Sequence, residues 1–275
     1  MTGKPTDLNN LRLAVLIDAD NIPCNSIKGI MEEVAIYGTP TIKRIYGDWT
    51  SPHVARWKRP LLEHAITPVQ QYGYTIGKNA TDSAMIIDAM DILYGEKTDA
   101  FVLVSSDSDF TRLAIRLREA GQRVIGIGER KTPNAFIVAC DKFIYIEVIR
   151  DHQRKLERGS DNVSSVPAEK PQESRTKSAE SAKRPVTSSA NRTDVPAATI
   201  DLLADSIADI ADDDGYAFLG ELGNLLLKKQ PDFDPRNFGF LKLTPLLKSL
   251  PRFEIDVRTT RDANIKHMYV RDKDA

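Results

Sequence analysis

The chain has 275 residues, with 38 Lys+Arg against 39 Asp+Glu, a formal charge of −1, and 41% hydrophobic residues. This near-average globular composition excludes whole-chain disorder and a uniformly basic coat for nucleic acid. Two cysteines and four scattered histidines exclude a disulfide framework and a zinc-ligand spacing, and no run approaches the roughly 18 apolar residues of a membrane helix.

Leu11–Ile17 (LRLAVLI) is a near-continuous apolar run, the pattern of a strand buried on both faces. Ile27–Tyr37 has helical spacing, and Thr41–Tyr46 is a second strand. A helix is expected over His53–Ala65, with Pro52 placed for its first turn. Another spans Asp82–Leu93. Ala100–Val104 (AFVLV) is a third buried strand. Phe110–Glu119 is a helix that Gly121 would close with a left-handed cap. Arg123–Ile127 and Phe143–Ile146 are further strands. Strands alternating with helices predict an α/β fold, a parallel sheet with helices on both faces.

After Arg150 the composition changes. Residues 151–195 contain no Phe, Trp, Tyr or Ile, too little apolar surface to offset the entropy of ordering. The expected organisation is therefore a domain over 1–150, a disordered linker over 151–195 and a second domain over 196–275. The last of these begins with a helix at Ala197–Ala211. Next come Phe218–Lys228, a turn-rich PDFDPRNFGF, a helix over Leu241–Ser249 and two terminal strands. Helices followed by a β-pair predict a small winged-helix-like α+β binding module. The polar start MTGKPTDLNN has no apolar leader, so a cytoplasmic protein without membrane contact is the expectation. No feature of the sequence fixes an oligomeric state.

The chemistry centres on aspartates. In open α/β sheets ligands bind beyond the carboxyl ends of the strands. Asp18 follows the first strand in LIDADN, Asp107 and Asp109 follow the third in VSSDSDF, and Asp82 opens a helix in KNATD. Carboxylates gathered at one rim repel each other, and a divalent cation removes that conflict. Oxygen donors without Cys or His favour Mg²⁺ or Mn²⁺. Each aspartate also suits an N-cap. Asn21 could orient the site or form an Asx turn before Pro23. Ser105 and Ser106 could hydrogen-bond a phosphate or a carboxylate, or cap the next helix. Asp20 could share a face with Asp18 or cap a helix, and Asp88 and Asp91 suit a solvated face.

Cations and rings are interleaved at Trp49, Arg56, Trp57, Lys58 and Arg59, a pattern suited to single-stranded nucleic acid. Trp49 is the better stacking candidate and Trp57 the better core anchor. Lys78 and Arg112 lie near the acidic motifs and could contact phosphates. In the tail, Lys228, Lys229, Lys242, Lys248 and Arg252 could form a basic patch.

The motifs LIDADN at 16–21, KNATD at 78–82, VSSDSDF at 104–110 and GQRV at 121–124 resemble the NYN domain, a LabA-like branch of the PIN-like nucleases. Many relatives have Gly in place of the second Ser of SSDSD. The resemblance implies that Asp18, Asp82, Asp107 and Asp109 hold Mg²⁺ or Mn²⁺ for RNA cleavage. The tail resembles the OST-HTH or LOTUS domain through Tyr216, Leu219, Gly220, Leu222, Gly223, Leu226, PDFD at 231–234, Gly239, Phe240, Leu243, Leu246, Leu247 and Phe253. This implies RNA as the partner. A metal-dependent ribonuclease whose linker lets the tail search along RNA is the resulting expectation. A non-catalytic RNA-binding regulator is one alternative. The other is a haloacid-dehalogenase-type phosphatase with Asp18 as nucleophile, although Asn21-Ile22 stands where that family has Thr or Val.

Overall fold

The computed structural model describes residues 11–50, 52–72, 80–161, 195–259 and 266–275. Six strands form one parallel sheet: β1 (Arg12–Asp18), β2 (Thr39–Gly47), β3 (Thr67–Gln70), β4 (Ala100–Val104), β5 (Arg123–Gly128) and β6 (Lys142–Tyr145). Their order is β3-β2-β1-β4-β5-β6. The order reverses between β1 and β4, which pair directly from Leu13↔Ala100 to Ile17↔Val104. Connections leave this pair in opposite directions, so a crevice opens above it.

The alternation within β1 explains the two layers. Leu13, Val15 and Ile17 face α1 (Ile27–Ala35), Trp57 and the start of α6 (Ile146–Asp161). Ala14 and Leu16 face α3 (Ala80–Tyr94), α4 (Thr111–Glu119) and α5 (Asn134–Ala139). Gly121 closes α4 with φ +81°, its N–H donating to the Arg118 carbonyl. No helix among the described residues is long and apolar enough to cross a membrane.

In and just after the first domain the structure differs from the sequence expectation in four places, and Tyr216–Phe218 of the C-terminal module is a further strand. The helix expected over 53–65 is a 3₁₀ segment, Pro52–Trp57, followed by α2 (Lys58–His64). β3 is an additional strand, because its TPVQ is short and holds a proline, which an edge strand tolerates. The short α5 is an additional helix. Finally, α6 continues to Asp161, eleven residues into the segment read as linker. Helix formation there needs only good backbone propensity, and no Pro or Gly interrupts HQRKLER. The remaining linker lies outside the described residues.

The C-terminal module holds α7 (Ala197–Ala208), β7 (Tyr216–Phe218), α8 (Leu219–Lys229), α9 (Leu243–Ser249), β8 (Phe253–Thr259) and β9 (Lys266–Asp272). β9 pairs antiparallel with β8 on one side and with the short β7 on the other. Leu203, Leu222, Leu226, Leu246, Phe253 and Val270 fill its core.

This module does not stand apart from the first domain. The Phe143 N–H, on the outer side of β6, donates to the Pro231 carbonyl at 2.8 Å. Tyr145 donates its hydroxyl to Asp232 at 2.6 Å. Arg236 reaches Glu33 of α1 with both terminal nitrogens, and also binds Asp234. Burial lowers the Lys142 ammonium pKa beside this group, against the pull of Asp234 and Glu33. These bonds seat the C-terminal module against the edge of the sheet.

Candidate functional site: an acidic rim at the strand-order reversal

Asp18 ends β1 and is 1% exposed. A carboxylate so placed must be satisfied locally. Its Oδ2 accepts from Ser105 Oγ at 2.8 Å and from Asn21 Nδ2 at 2.7 Å. Its Oδ1 accepts from the backbone N–H groups of Asp20 and Asn21 at 3.1 and 3.3 Å. Asn21 therefore makes a turn and orients the site together, so its two suggested roles coincide. Ser105 Oγ also accepts from the Asp107 N–H at 3.1 Å. Through these bonds Asp18 ties the end of β1 to the loop after β4.

Asp82, Asp107 and Asp109 each offer an oxygen, and these lie within 4.8 Å of one another. Asp82 stands in the first turn of α3, where the helix dipole favours an anion. Asp107 caps the following 3₁₀ turn by accepting from the Asp109 N–H at 2.9 Å, yet it belongs to the cluster. Capping and clustering are compatible here. Asp18 is not one of these three, though its charge acts on Asp82. Burial, then the charges of Asp18, Asp107, Asp109 and Asp20, push the Asp82 carboxyl pKa up to about 6. Burial and Asp18 also raise that of Asp20, which accepts from Thr81 Oγ1 at 3.3 Å. Three carboxylate oxygens placed this close could hold a metal ion.

The other expected residues are distributed around this rim. Ser106 accepts from the Glu129 N–H at 2.9 Å and so braces the loop after β5. Arg56 lines a cavity of about 330 Å³ with Asp20, Asn21, Pro23, Trp57 and Lys131. Trp57 is buried at 2% exposure. Trp49 packs against the same core, and its indole N–H donates to the Val69 carbonyl at 2.9 Å. Its ring is thus partly spent on the fold rather than held open for stacking. Lys58 and Arg59 are exposed, and Arg59 pairs with Glu63 one turn on. Arg112 is exposed on the first turn of α4. Lys78 lies outside the described residues. Asp88 is not on a solvated face: it accepts from Arg44 and from the Tyr46 hydroxyl. In the tail, Lys229 pairs with Asp209 and Arg252 with Asp272, so two of the five cations of the expected basic patch are engaged with carboxylates.

Two further residues position the site. Thr81 joins the Asp20 turn to the start of α3. Gly128 ends β5 so close to β4 that a Cβ there would stand 2.6 Å from the Ser105 carbonyl oxygen. Only the IGIG pattern of β5 hints at it.

The NYN domain model matches residues 12–147, and the OST-HTH/LOTUS domain model matches residues 193–264. Among solved structures, a Vibrio parahaemolyticus protein of unknown function is 19% identical, with a TM-score of 0.45 over 52% of this chain and 96% of that one. An uncharacterized Nitrosomonas europaea protein, solved by NMR, is 29% identical, with a TM-score of 0.28 over 36% of this chain and 92% of that one. No curated protein matches the chain.

Proposed function

For a chain that carries an NYN domain followed by an OST-HTH/LOTUS domain, we propose metal-dependent hydrolysis of RNA phosphodiesters at the acidic rim, with the C-terminal module contributing to RNA binding. The observation that carries this reading is the convergence of Asp82, Asp107 and Asp109 within 4.8 Å above the strand-order reversal.

Asp82, Asp107 and Asp109 would hold the cation. When bound, Mg²⁺ or Mn²⁺ would neutralise phosphate charge and favour in-line attack by water. Asp18 is a positioning residue: it fixes Ser105 and Asn21, and through Ser105 the backbone of Asp107. Asp82 holds a proton below about pH 6, so cation and proton compete for the same carboxyl. Arg56, lining the cavity beside Asp20 and Asn21, and Arg112, exposed in the first turn of α4, suit the flanking phosphates. Phosphatase chemistry with Asp18 as nucleophile is disfavoured, since that carboxylate is 1% exposed and accepts four hydrogen bonds.

The test is cleavage of end-labelled single-stranded RNA with Mg²⁺, Mn²⁺ or chelator. Cleavage should need a divalent ion and fall at least about 100-fold in Asp107→Asn, the order lost with one key electrostatic group. Equal cleavage by wild type and variant refutes the assignment. Retention of RNA without cleavage under either ion would support the regulatory alternative.

A further inference from the structure

Residues of both domains line an open cleft of about 830 Å³ at the opposite end of the sheet from the acidic rim. The first domain contributes Arg118, Arg123 and Asp141, which flank the beginnings of β5 and β6, and the second contributes Asn224, Lys228 and Pro231. Arg118 is occupied by Asp141 at 2.9 Å. Arg123 and Lys228 make no ion pair among the described residues. Two such cations from different domains thus line one cleft. Val138, 52% exposed, and Leu227 add apolar wall.

We infer that this interdomain cleft binds the phosphate backbone of single-stranded RNA. The volume exceeds the need of one isolated phosphate and falls in the range of sites that enclose an organic ligand. Cations contributed by both domains suit a ligand whose charges repeat along its length, and the aliphatic Val138 and Leu227 in the same lining accept bases without reading them. The site is composite. It exists because the Phe143 N–H and Pro231 carbonyl join the domains at its edge, and the Arg236–Glu33 pair holds them there. The inference rests on RNA as the ligand of this protein, but not on its cleavage, because none of the cleft residues belongs to the acidic rim.

The experiment uses the intact chain in chelator, with a fluorescein-labelled single-stranded RNA and binding measured across salt concentrations. Arg123→Glu with Lys228→Glu should weaken binding at least tenfold and flatten the log–log salt slope by about 1.4, roughly 0.7 for each phosphate no longer neutralised. Both side chains are at the surface of the cleft, and an unchanged melting temperature will confirm an intact fold. Arg236→Ala, which opens the docking, should weaken RNA binding as well. Wild-type affinity and slope in the double variant overturn the proposal, and so does full affinity in an Arg236→Ala chain whose Phe143 amide has lost its exchange protection. Displacement of the RNA by poly-glutamate at equal charge concentration overturns the assignment to RNA. Loss of binding in these variants alongside a chain that cuts no RNA would leave the cleft standing and the nuclease reading fallen.

Discussion

Arg236 and Glu33 stand 203 residues apart in the chain and meet as a two-pronged ion pair, with contacts of 2.7 and 2.8 Å. The Glu33 side chain is 5% exposed and that of Arg236 15%. Tyr37 adds a hydroxyl donor to Glu33 at 3.1 Å, and Asp234 holds the other side of the guanidinium. Burial works against charge at Asp234, yet the guanidinium keeps its carboxyl below the usual range. Removing one partner of such a pair costs about 3–5 kcal/mol, because the other charge is left buried alone. Arg236→Ala is therefore expected to release the module. Hydrogen exchange at the Phe143 amide should speed up by roughly 100-fold or more, since its acceptor comes from the module. Unaltered protection would mean that the backbone contact holds without the ion pair.

The Asp82 carboxyl should titrate near pH 6, as followed by carbon-13 NMR. Its charged form is disfavoured in the fold, so the destabilisation is full above the folded pKa and vanishes below the ordinary carboxyl value. Metal-free protein should thus gain stability as pH falls from 7 towards 4 through this group. Asp82→Asn should recover about 1 kcal/mol at neutral pH, a figure reduced for solvent screening of a partly exposed group. Asp107→Asn should move the Asp82 titration downward. Added Mn²⁺ should raise the melting temperature of the wild type by mass action and leave Asp82→Asn nearly unmoved.

Ser105→Ala removes one of four donors to a buried carboxylate and one acceptor for the Asp107 N–H. The expected cost is about 1–3 kcal/mol. It should appear as a lower urea midpoint with an unchanged m-value. An unshifted midpoint would show that neither bond matters to the fold.

Gly128→Ala places a methyl group 2.6 Å from the Ser105 carbonyl and 2.7 Å from Thr132 Oγ1. Overpacking of this kind costs about 1–3 kcal/mol. The strain falls on the backbone that carries Ser105, so metal affinity at the rim should drop together with stability. A variant of wild-type stability and affinity would show that β4 and β5 separate freely there.

The parallel sheet is legible because β1 and β4 are buried on both faces, and LRLAVLI and AFVLV show it without a partner. The acidic rim is legible because topology places strand ends together whatever the loops do. What the sequence does not display is depth. Asp18 and Asp82 look alike in LIDADN and KNATD, yet one lies under Asn21 and Ser105 while the other opens a helix. That distinction depends on which donors surround each carboxylate, and Ser105 comes from 87 residues away. Docking is hidden for the same reason. Arg236 lies in a turn-rich segment and Glu33 on an ordinary amphipathic helix, and neither pattern names its partner.

The seat of Pro231 on β6 also bears on how this protein behaves in the test tube. An uncovered outer strand such as Lys142–Tyr145 (KFIY) offers its peptide groups to any neighbouring chain and invites aggregation. A truncation that stops before Ala197 exposes that strand and should precipitate more readily than the full-length chain. On that outcome the second module would act as a cover for the outer strand of the first.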